Sequence, residues 1–198
     1  MFARSPKYNN NYYGLHFGFR YRFSNKFNFD LQTDSHFESN QLGYAFRREP
    51  NGDPIAGFRD NREFISVLSA IYNITPRLNL TLRTRHYWNK VNYLGLYDVN
   101  AKGNLEPRAA SVSTFLANSQ DDNFNVFNLD AFLTWDFRLG SRLVLGYKNW
   151  LGDDEMVSFS SKNSYLYNLR EIFELRHGNE FTLRFIYFLD YNSLRKKN

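Results

Sequence analysis

Strict alternation of apolar and polar residues is the feature that most constrains how this chain can fold. Between Tyr13 and Phe23 every odd-numbered residue is Tyr, Leu or Phe, and every even-numbered residue is Gly, His or Arg. Successive side chains of a β-strand point to opposite faces, so a repeat of two places the apolar side chains on one face and the polar ones on the other. The segment therefore predicts a β-strand with one apolar face.

The same pattern recurs along most of the chain. A second alternating run follows the short polar turn at 24–26, and two such runs across a tight turn are typical of a β-hairpin. Further hairpins are predicted around turns at 75–77, 139–141 and 177–179. The prediction is an all-β fold, an antiparallel meander of about eight strands in one domain over residues 1–198. The predicted strands lie near residues 13–23, 27–38, 63–74, 78–88, 127–137, 143–147, 165–175 and 181–191.

The predicted connections differ in length in a regular way. Tight turns alternate with long connections near residues 39–62, 91–123 and 151–163, which are rich in Asn, Asp, Gly and Ser. Tight turns at one end and long loops at the other are typical of transmembrane β-barrels of the outer membrane. An even strand count, however, places both ends of the meander on the long-loop side, whereas single-chain barrels usually end in the periplasm. Either the count is wrong by one strand or the long loops face the periplasm.

Composition excludes several classes of protein. Aromatic residues make up 19% of the chain while the mean hydropathy is −0.58. A chain this polar on average has no stretch of about 18 or more apolar residues, so transmembrane helices are excluded. Disordered chains are poor in aromatic residues, so a disordered chain is excluded as well. The absence of cysteine excludes disulfides and thiolate chemistry. Basic and acidic residues are interleaved, so we expect no nucleic-acid partner.

The polar faces of the predicted strands carry charges of both signs that can pair across strands. In a barrel with its apolar face in lipid, these charges would line the lumen. We call this set the charge ladder, and it comprises Arg20, Arg22, Asp30, Asp34, His36, Arg83, Arg85, Asp130, Asp136, Arg170 and Arg184.

Alternation alone does not determine which face points inward. A soluble barrel of the lipocalin type has an apolar interior that binds an apolar ligand, and its strands show the same period. Large rings crowd the apolar face of nearly every predicted strand, which is more bulk than the interior of an eight-stranded barrel with a ligand accepts. We therefore favour the membrane barrel and keep the soluble barrel as the alternative.

Candidate chemistry is sparse. His16 and His36 lie on the polar faces of neighbouring predicted strands and could form a metal or proton-relay site with Asp34 or Glu38. We favour ordinary hydrogen-bonded roles, and we expect neither an enzyme nor a cofactor or metal. His86 is predicted to lie on the apolar face near a strand end, as an interface residue. Aromatic residues of the long connections either stack on sugar rings or pack over the barrel mouth: Tyr44, Phe46, Phe58, Tyr93, Tyr97 and Phe115.

Four segments also carry a resemblance to a known family. Residues 68–88, 122–135, 139–148 and 185–191 resemble the C-terminal part of Gram-negative outer-membrane proteins best known from Bacteroidota. In that family a module like carbohydrate-binding module family nine precedes a large barrel of unknown function. The resemblance implies a bacterial outer-membrane location and a larger barrel, of which this chain, without signal peptide or module, is the C-terminal portion.

The resemblance also sets the expected function. It implies a pore or anchor linked to glycan binding or uptake. The expected partners are outer-membrane lipid, other outer-membrane proteins in a complex, and glycans. The family offers no established catalytic residues to transfer, and the sugar-binding activity of the module does not carry over to this chain.

Overall fold

The strands of the protein form one antiparallel sheet. A computed structural model describes residues 1–5, 9–45, 54–108, 122–152 and 164–190. Apart from one short strand that pairs only with the strand before it, strands that follow one another in the chain are neighbours in the sheet, so the predicted all-β antiparallel meander is confirmed. The strands are β1 (Phe2–Ser5), β2 (Asn10–Arg22), β3 (Phe27–Tyr44), β4 (Ile55–Thr75), β5 (Leu78–Val99), β6 (Leu105–Pro107), β7 (Asp122–Arg138), β8 (Ser141–Gly152) and β9 (His177–Ile186).

Three tight turns mark one end of this sheet, which we call the tight-turn end. They lie at 24–26, 76–77 and 139–140, as predicted, and Gly140 adopts a φ of +75° in the last of them. The opposite end, where the longer connections lie, is the long-loop end. In the described part of the chain the sheet is open, since its order runs from β1 to β9 without a pairing between these two strands.

Several strands are longer than alternation predicts. β3 continues to Tyr44 and β4 begins at Ile55, so the predicted long connection at 39–62 is mostly strand. A register shift between Glu38 and Gln41, with Asn40 at a φ of +52°, marks a β-bulge. A bulge inserts one residue and shifts the side-chain alternation. The alternation of apolar and polar residues in the sequence is therefore interrupted at this point, although the strand continues.

The predicted strand at 165–175 is wrong. This segment forms helix α1 (Tyr165–Glu171), and a 3₁₀ turn (Ile172–Glu174) follows it. The Ser164 side chain caps the helix by accepting the backbone N–H of Tyr167. The turn predicted at 177–179 is also wrong, because β9 already begins at His177. No described helix is long and apolar enough to cross a membrane.

This correction removes the conflict in the strand count. The described sheet has seven long strands, β2, β3, β4, β5, β7, β8 and β9, with β9 ending at the tight-turn end. Because seven is odd and neighbours are antiparallel, β2 and β9 run in the same direction, from the long-loop end to the tight-turn end. The sheet as a whole has nine strands, in agreement with the predicted count of about eight, because the two short strands β1 and β6 offset the wrong strand at 165–175.

A buried apolar cluster lies at the long-loop end. It consists of Ala45, Ile55, Val91, Tyr93 and Leu96, each no more than 7% exposed. Most side chains elsewhere in the sheet are half-buried or exposed, because a single sheet has no second layer over most of its area. Both faces of the sheet are therefore accessible over most of their area.

Gly146 of β8 provides a test of this sheet. A Cβ at Gly146 would overlap the Thr182 hydroxyl and lie 2.9 Å from the Phe132 ring, whereas a Cβ at Gly18 of β2 meets only His16 at 3.7 Å. We expect Gly146→Ala to lower the free energy of unfolding by about 1–3 kcal/mol, the usual cost of overpacking. Gly18→Ala is the matched control and should be near neutral. Urea titration measures both, and equal effects would contradict the close packing of β7, β8 and β9 around Gly146.

Candidate functional site: two opposite faces of one sheet

The charge ladder begins on β2 and β3, where the register places opposite charges face to face. Arg20 lies directly across from Asp30, and its Nε lies 2.8 Å from Asp30 Oδ2. His16 lies across from Asp34, with Nδ1 2.7 Å from Oδ1. Gln32 Nε2 donates to the second oxygen of Asp30 at 2.9 Å. Two ion pairs on this part of the face therefore join β2 to β3.

The ladder continues across the centre of the sheet. His36 Nδ1 lies 3.3 Å from Glu63 Oε1 on β4, and the Tyr87 hydroxyl on β5 donates to the other Glu63 oxygen at 2.8 Å. Arg85 Nη2 lies 2.5 Å from Asp130 Oδ2 on β7. Five neighbouring strands are thus joined by polar contacts on one face.

Two further pairs extend the ladder to β9. Lys148 of β8 lies across from Asp130 on one side and Glu180 on the other, and its Nζ is 3.6 Å from Glu180 Oε1. Asp136 receives two hydrogen bonds from Arg142, at 2.6 and 3.1 Å, beside the turn at 139–140. Sequence reasoning missed Glu180 because it was placed next to a predicted turn.

The predicted ladder residues that lie on strands fall into three groups. Those in ion pairs across or along strands are Arg20, Asp30, Asp34, His36, Arg85, Asp130 and Asp136. Arg22 instead donates to the turn, at the Ser24 carbonyl and the Asn25 side chain, while Arg83 faces Asp130 and Arg184 faces Val144 in the strand register.

The placement of Arg170 on a strand is wrong. Arg170 lies exposed in α1, away from the strand faces that carry the ladder. His16 and His36 do not share one acid either: His16 pairs with Asp34 and His36 with Glu63, while Glu38 accepts from Asn10 and Gln41. Among the described residues, no group of three or more His, Asp or Glu side chains is placed to hold a metal ion.

The opposite face of the sheet carries two rows of apolar residues that cross the long strands. The register aligns both rows, and their exposed members include Phe181 at 80% and Leu183 at 69%. We call these two rows the apolar belt. One row is Tyr21, Phe29, Ala70, Leu82, Ala131, Tyr147 and Phe181, and the next is Phe27, Tyr72, Leu80, Leu133, Leu145 and Leu183.

The face of the apolar belt becomes charged towards the long-loop end. In the register, Phe37 of β3 faces Arg62 of β4, and Arg62 faces Lys90 of β5. The Arg62 guanidinium lies over the Phe37 ring, 5.1 Å from its centre. Asp60 and Asn92 follow one step further along β4 and β5. The apolar surface thus has a charged border.

Helix α1 packs on this same face, between the belt and the charged border. The Tyr165 ring contacts Phe64, His86 and Trp88, with ring centres 4.5, 5.5 and 5.7 Å apart. Phe173 of the 3₁₀ turn lies 5.6 Å from Phe127 of β7. The helix therefore covers the part of the face contributed by β4, β5 and β7.

Hydrogen bonds fix His86 beneath the helix. His86 is 5% exposed, and its Nε2 donates to Asn125 Oδ1 at 2.9 Å. Because Nε2 carries the proton, Nδ1 accepts from the Tyr165 hydroxyl at 3.2 Å. Burial raises the pKa of Tyr165, so this hydroxyl keeps its proton for donation. His86 lies on the apolar face as predicted, but it is buried inside β5 rather than at an interface near its end.

Asparagine side chains connect the helix to the sheet beside His86. Asn123 Nδ2 donates to Asn168 Oδ1, and Asn125 Nδ2 donates to the Asn168 carbonyl, both at 2.7 Å. Asn123 Oδ1 in turn accepts from Trp88 Nε1 at 2.8 Å. Sequence reasoning missed this junction. The only signal was a set of Asn residues on β7 at positions where an apolar strand face would continue.

The aromatic residues predicted for the long connections mostly lie in the extended strands. The Tyr93 hydroxyl donates to the Tyr44 carbonyl at 3.2 Å and accepts from Arg59. Phe58 and Tyr97 pack edge to face. The Tyr44 side chain is 69% exposed. Phe46 and Phe115 lie outside the described residues.

The fold and its two faces define a class of protein: an antiparallel meander sheet with an apolar surface on one side and paired charges on the other. The model of the family described as "Domain of unknown function (DUF5916)" matches residues 1–198, so the chain belongs to this family. No curated protein and no solved structure matches the chain. A functional inference therefore depends on the two faces themselves.

The pair of Arg85 and Asp130 provides a test of the ladder. The Asp130 side chain is 17% exposed and that of Arg85 45%, so screening by water limits the interaction to about 0.5–1 kcal/mol. We expect a double-mutant cycle of Arg85→Gln and Asp130→Asn to give a coupling free energy of this size in urea titrations. The same cycle for Arg22 and Asp30, which share a face but no contact in the structure, should give none. A zero coupling for both pairs would show that the ladder is solvated rather than paired.

Proposed function

We propose that this chain is the membrane-embedded part of a bacterial outer-membrane β-barrel, with the apolar belt in lipid and the charge ladder facing the interior. The apolar belt carries the proposal. One of its rows crosses all seven long strands and the other crosses six of them, and neither row contains a charged residue, yet many of their side chains are exposed. Soluble monomers rarely expose continuous apolar patches larger than a few hundred Å², so a surface of this extent needs an apolar partner.

The height of the apolar face supports lipid as that partner. On β5 the face extends from Leu78 to Trp88, and helix α1, which covers His86 and Trp88, presents its own exposed apolar side chains at that end. Ten steps of about 3.4 Å, tilted by about 40°, correspond to about 26 Å along the membrane normal. This is close to the apolar band of about 25 Å found on outer-membrane barrels. Basic residues lie at both borders, with Arg62 and Lys90 towards the long-loop end and Arg77 in a tight turn.

The charge ladder supports an inward orientation of the other face. Arginine and aspartate side chains on a lipid-facing surface are strongly unfavourable, whereas paired charges are tolerated in a wet or salt-bridged interior. The ion pairs from His16 to Glu180 fill this face across β2 to β9. In a wide barrel these ion pairs would set the selectivity of a pore. In a narrow barrel they would fill the interior, and the barrel would serve as a membrane anchor without a pore.

Strand direction favours a larger barrel. β2 and β9 run in the same direction, so they cannot pair with each other in an antiparallel barrel. Closure needs an odd number of additional strands between them. β1 occupies one part of the edge of β2. It pairs with residues 10–13, the Gly14 N–H donates to the Met1 carbonyl, and the Met1 amino group donates to the Gly14 carbonyl. From Leu15 to Arg22 the outer edge of β2 has no strand partner among the described residues.

The biological role follows from this architecture. We propose that the barrel admits or holds extracellular material at the long-loop end, with glycans as the expected class. Exposed aromatic side chains such as Tyr44 can stack on sugar rings. The proposal assigns no catalytic chemistry and no cofactor to the chain, and it includes contacts with other outer-membrane proteins.

A charge introduced on each face tests the proposed orientation. Leu82 lies in the apolar belt, near the middle of the stretch from Leu78 to Trp88, and the adjacent Thr81 points to the other face, across from Ile71 and Phe132. Leu82→Arg should prevent membrane assembly, because an arginine facing mid-bilayer lipid costs about 2–4 kcal/mol. Thr81→Arg introduces the same charge one residue away and should be tolerated. The measurement is outer-membrane recovery of a heat-modifiable band after expression behind a signal peptide.

The same experiment distinguishes the alternatives. Equal recovery of both variants would refute the assignment of faces. Recovery of the unmodified chain only when upstream strands are supplied would support the larger barrel. Soluble recovery with a bound apolar ligand would favour the lipocalin-like alternative.

A further inference from the structure

We propose that helix α1 is an interfacial anchor, which lies in the lipid headgroup region at the long-loop end and buries Leu166 and Phe173 in the membrane. This inference rests on the proposed insertion of the sheet. It goes further by assigning a lipid contact to a segment that forms no strand.

The inner side of the helix is fixed to the sheet. Asn168 is 4% exposed and Ile172 is fully buried, and their spacing of four residues places them on one side of the helix. Hydrogen bonds from Asn123 and Asn125 hold Asn168 on the belt side of the sheet. A helix of seven residues is too short to be stable alone, so these contacts determine its position.

The outer side of the helix is apolar and exposed. Leu166 is 73% exposed and Phe173 54%, and they lie seven residues apart on the same stripe. Arg170 lies between them on that stripe and is also exposed. Two large apolar side chains beside one arginine are typical of a helix at a membrane surface, where the arginine reaches the lipid phosphates.

Lipid is the occupant that fits this surface, because the stripe is continuous with the apolar face of the strands. Phe173 packs on Phe127, which lies two residues from Leu129 on the same face of β7. The helix also lies at the level where the apolar face gives way to Arg62 and Lys90. This is the depth of the headgroups if the apolar belt spans the hydrocarbon.

Spin labelling can test the proposal directly, because the chain contains no cysteine. Leu166→Cys and Phe173→Cys would be labelled separately in the full chain, reconstituted in phospholipid vesicles. Leu183→Cys in the apolar belt is the lipid reference, and Lys102→Cys, exposed in the turn after β5, is the aqueous reference. The readout is the ratio of collision rates with oxygen, which concentrates in lipid, and with a water-soluble nickel chelate.

We expect this ratio at positions 166 and 173 to be several-fold higher than at 102 and to lie below that at 183. Values at 166 and 173 equal to that at 102, with 183 still in lipid, would overturn the anchor and leave the proposed function standing. An aqueous value at 183 as well would overturn both. Phe173→Cys removes the contact of this ring with Phe127. If that loosens the helix, the label at position 166 alone tests the lipid contact, because Leu166 is the more exposed residue.

Discussion

Cross-strand register is the constraint on which the rest of this structure depends. Because the side-chain period of a strand is two, a slip of one residue between neighbours would move the apolar side chains of a strand to the opposite face. The register keeps Tyr21, Phe29 and Ala70 in one row, and the row continues to Phe181 on the last strand. The same alignment places Arg20 across from Asp30 on the other face. Both surfaces therefore depend on a single set of backbone pairings.

The β-bulges move apolar side chains to the ladder face at the long-loop end. Register shifts after Glu38 on β3 and between Phe58 and Arg59 on β4 insert an extra residue into β3 and β5. Beyond them the alternation changes side, so that Ala45 and Leu96 join Tyr93 in a buried cluster on the ladder face. The long-loop end thus has its own small core, and the proposed lipid-facing surface stops below it.

Polar contacts have different roles on the two faces. The ladder pairs are partly solvated, and pairs of this kind contribute only about 0–1 kcal/mol each, so they define the electrostatics of that face more than its stability. The asparagine and histidine contacts beneath α1 are buried. A buried polar group without a partner costs about 1–3 kcal/mol, so His86 and Asn123 require the helix to stay in place.

Local alternation was sufficient to predict the strand core of the fold. It predicted β2, most of β3 and β7, and the faces of Arg20, Asp30, Arg85 and Asp130, because a period of two is a property of neighbouring residues. It did not predict α1. Tyr165, Tyr167 and Leu169 fit a strand, while Tyr165, Asn168 and Ile172 fit a helix, and contacts with Asn123 and Asn125, more than 40 residues away, favour the helix.

The pairing of the charges also required the tertiary structure. The sequence shows which charges share a face, but the partner of a charge depends on register and on side-chain reach across the sheet. His36 thus pairs with Glu63 rather than with Asp34, and Arg85 rather than Arg83 contacts Asp130. By itself the sequence determined an antiparallel sheet with one apolar and one charged face. Only the tertiary structure decided the odd number of long strands, the helix on the apolar face and the partner of each charge, because these depend on contacts between residues far apart in the chain.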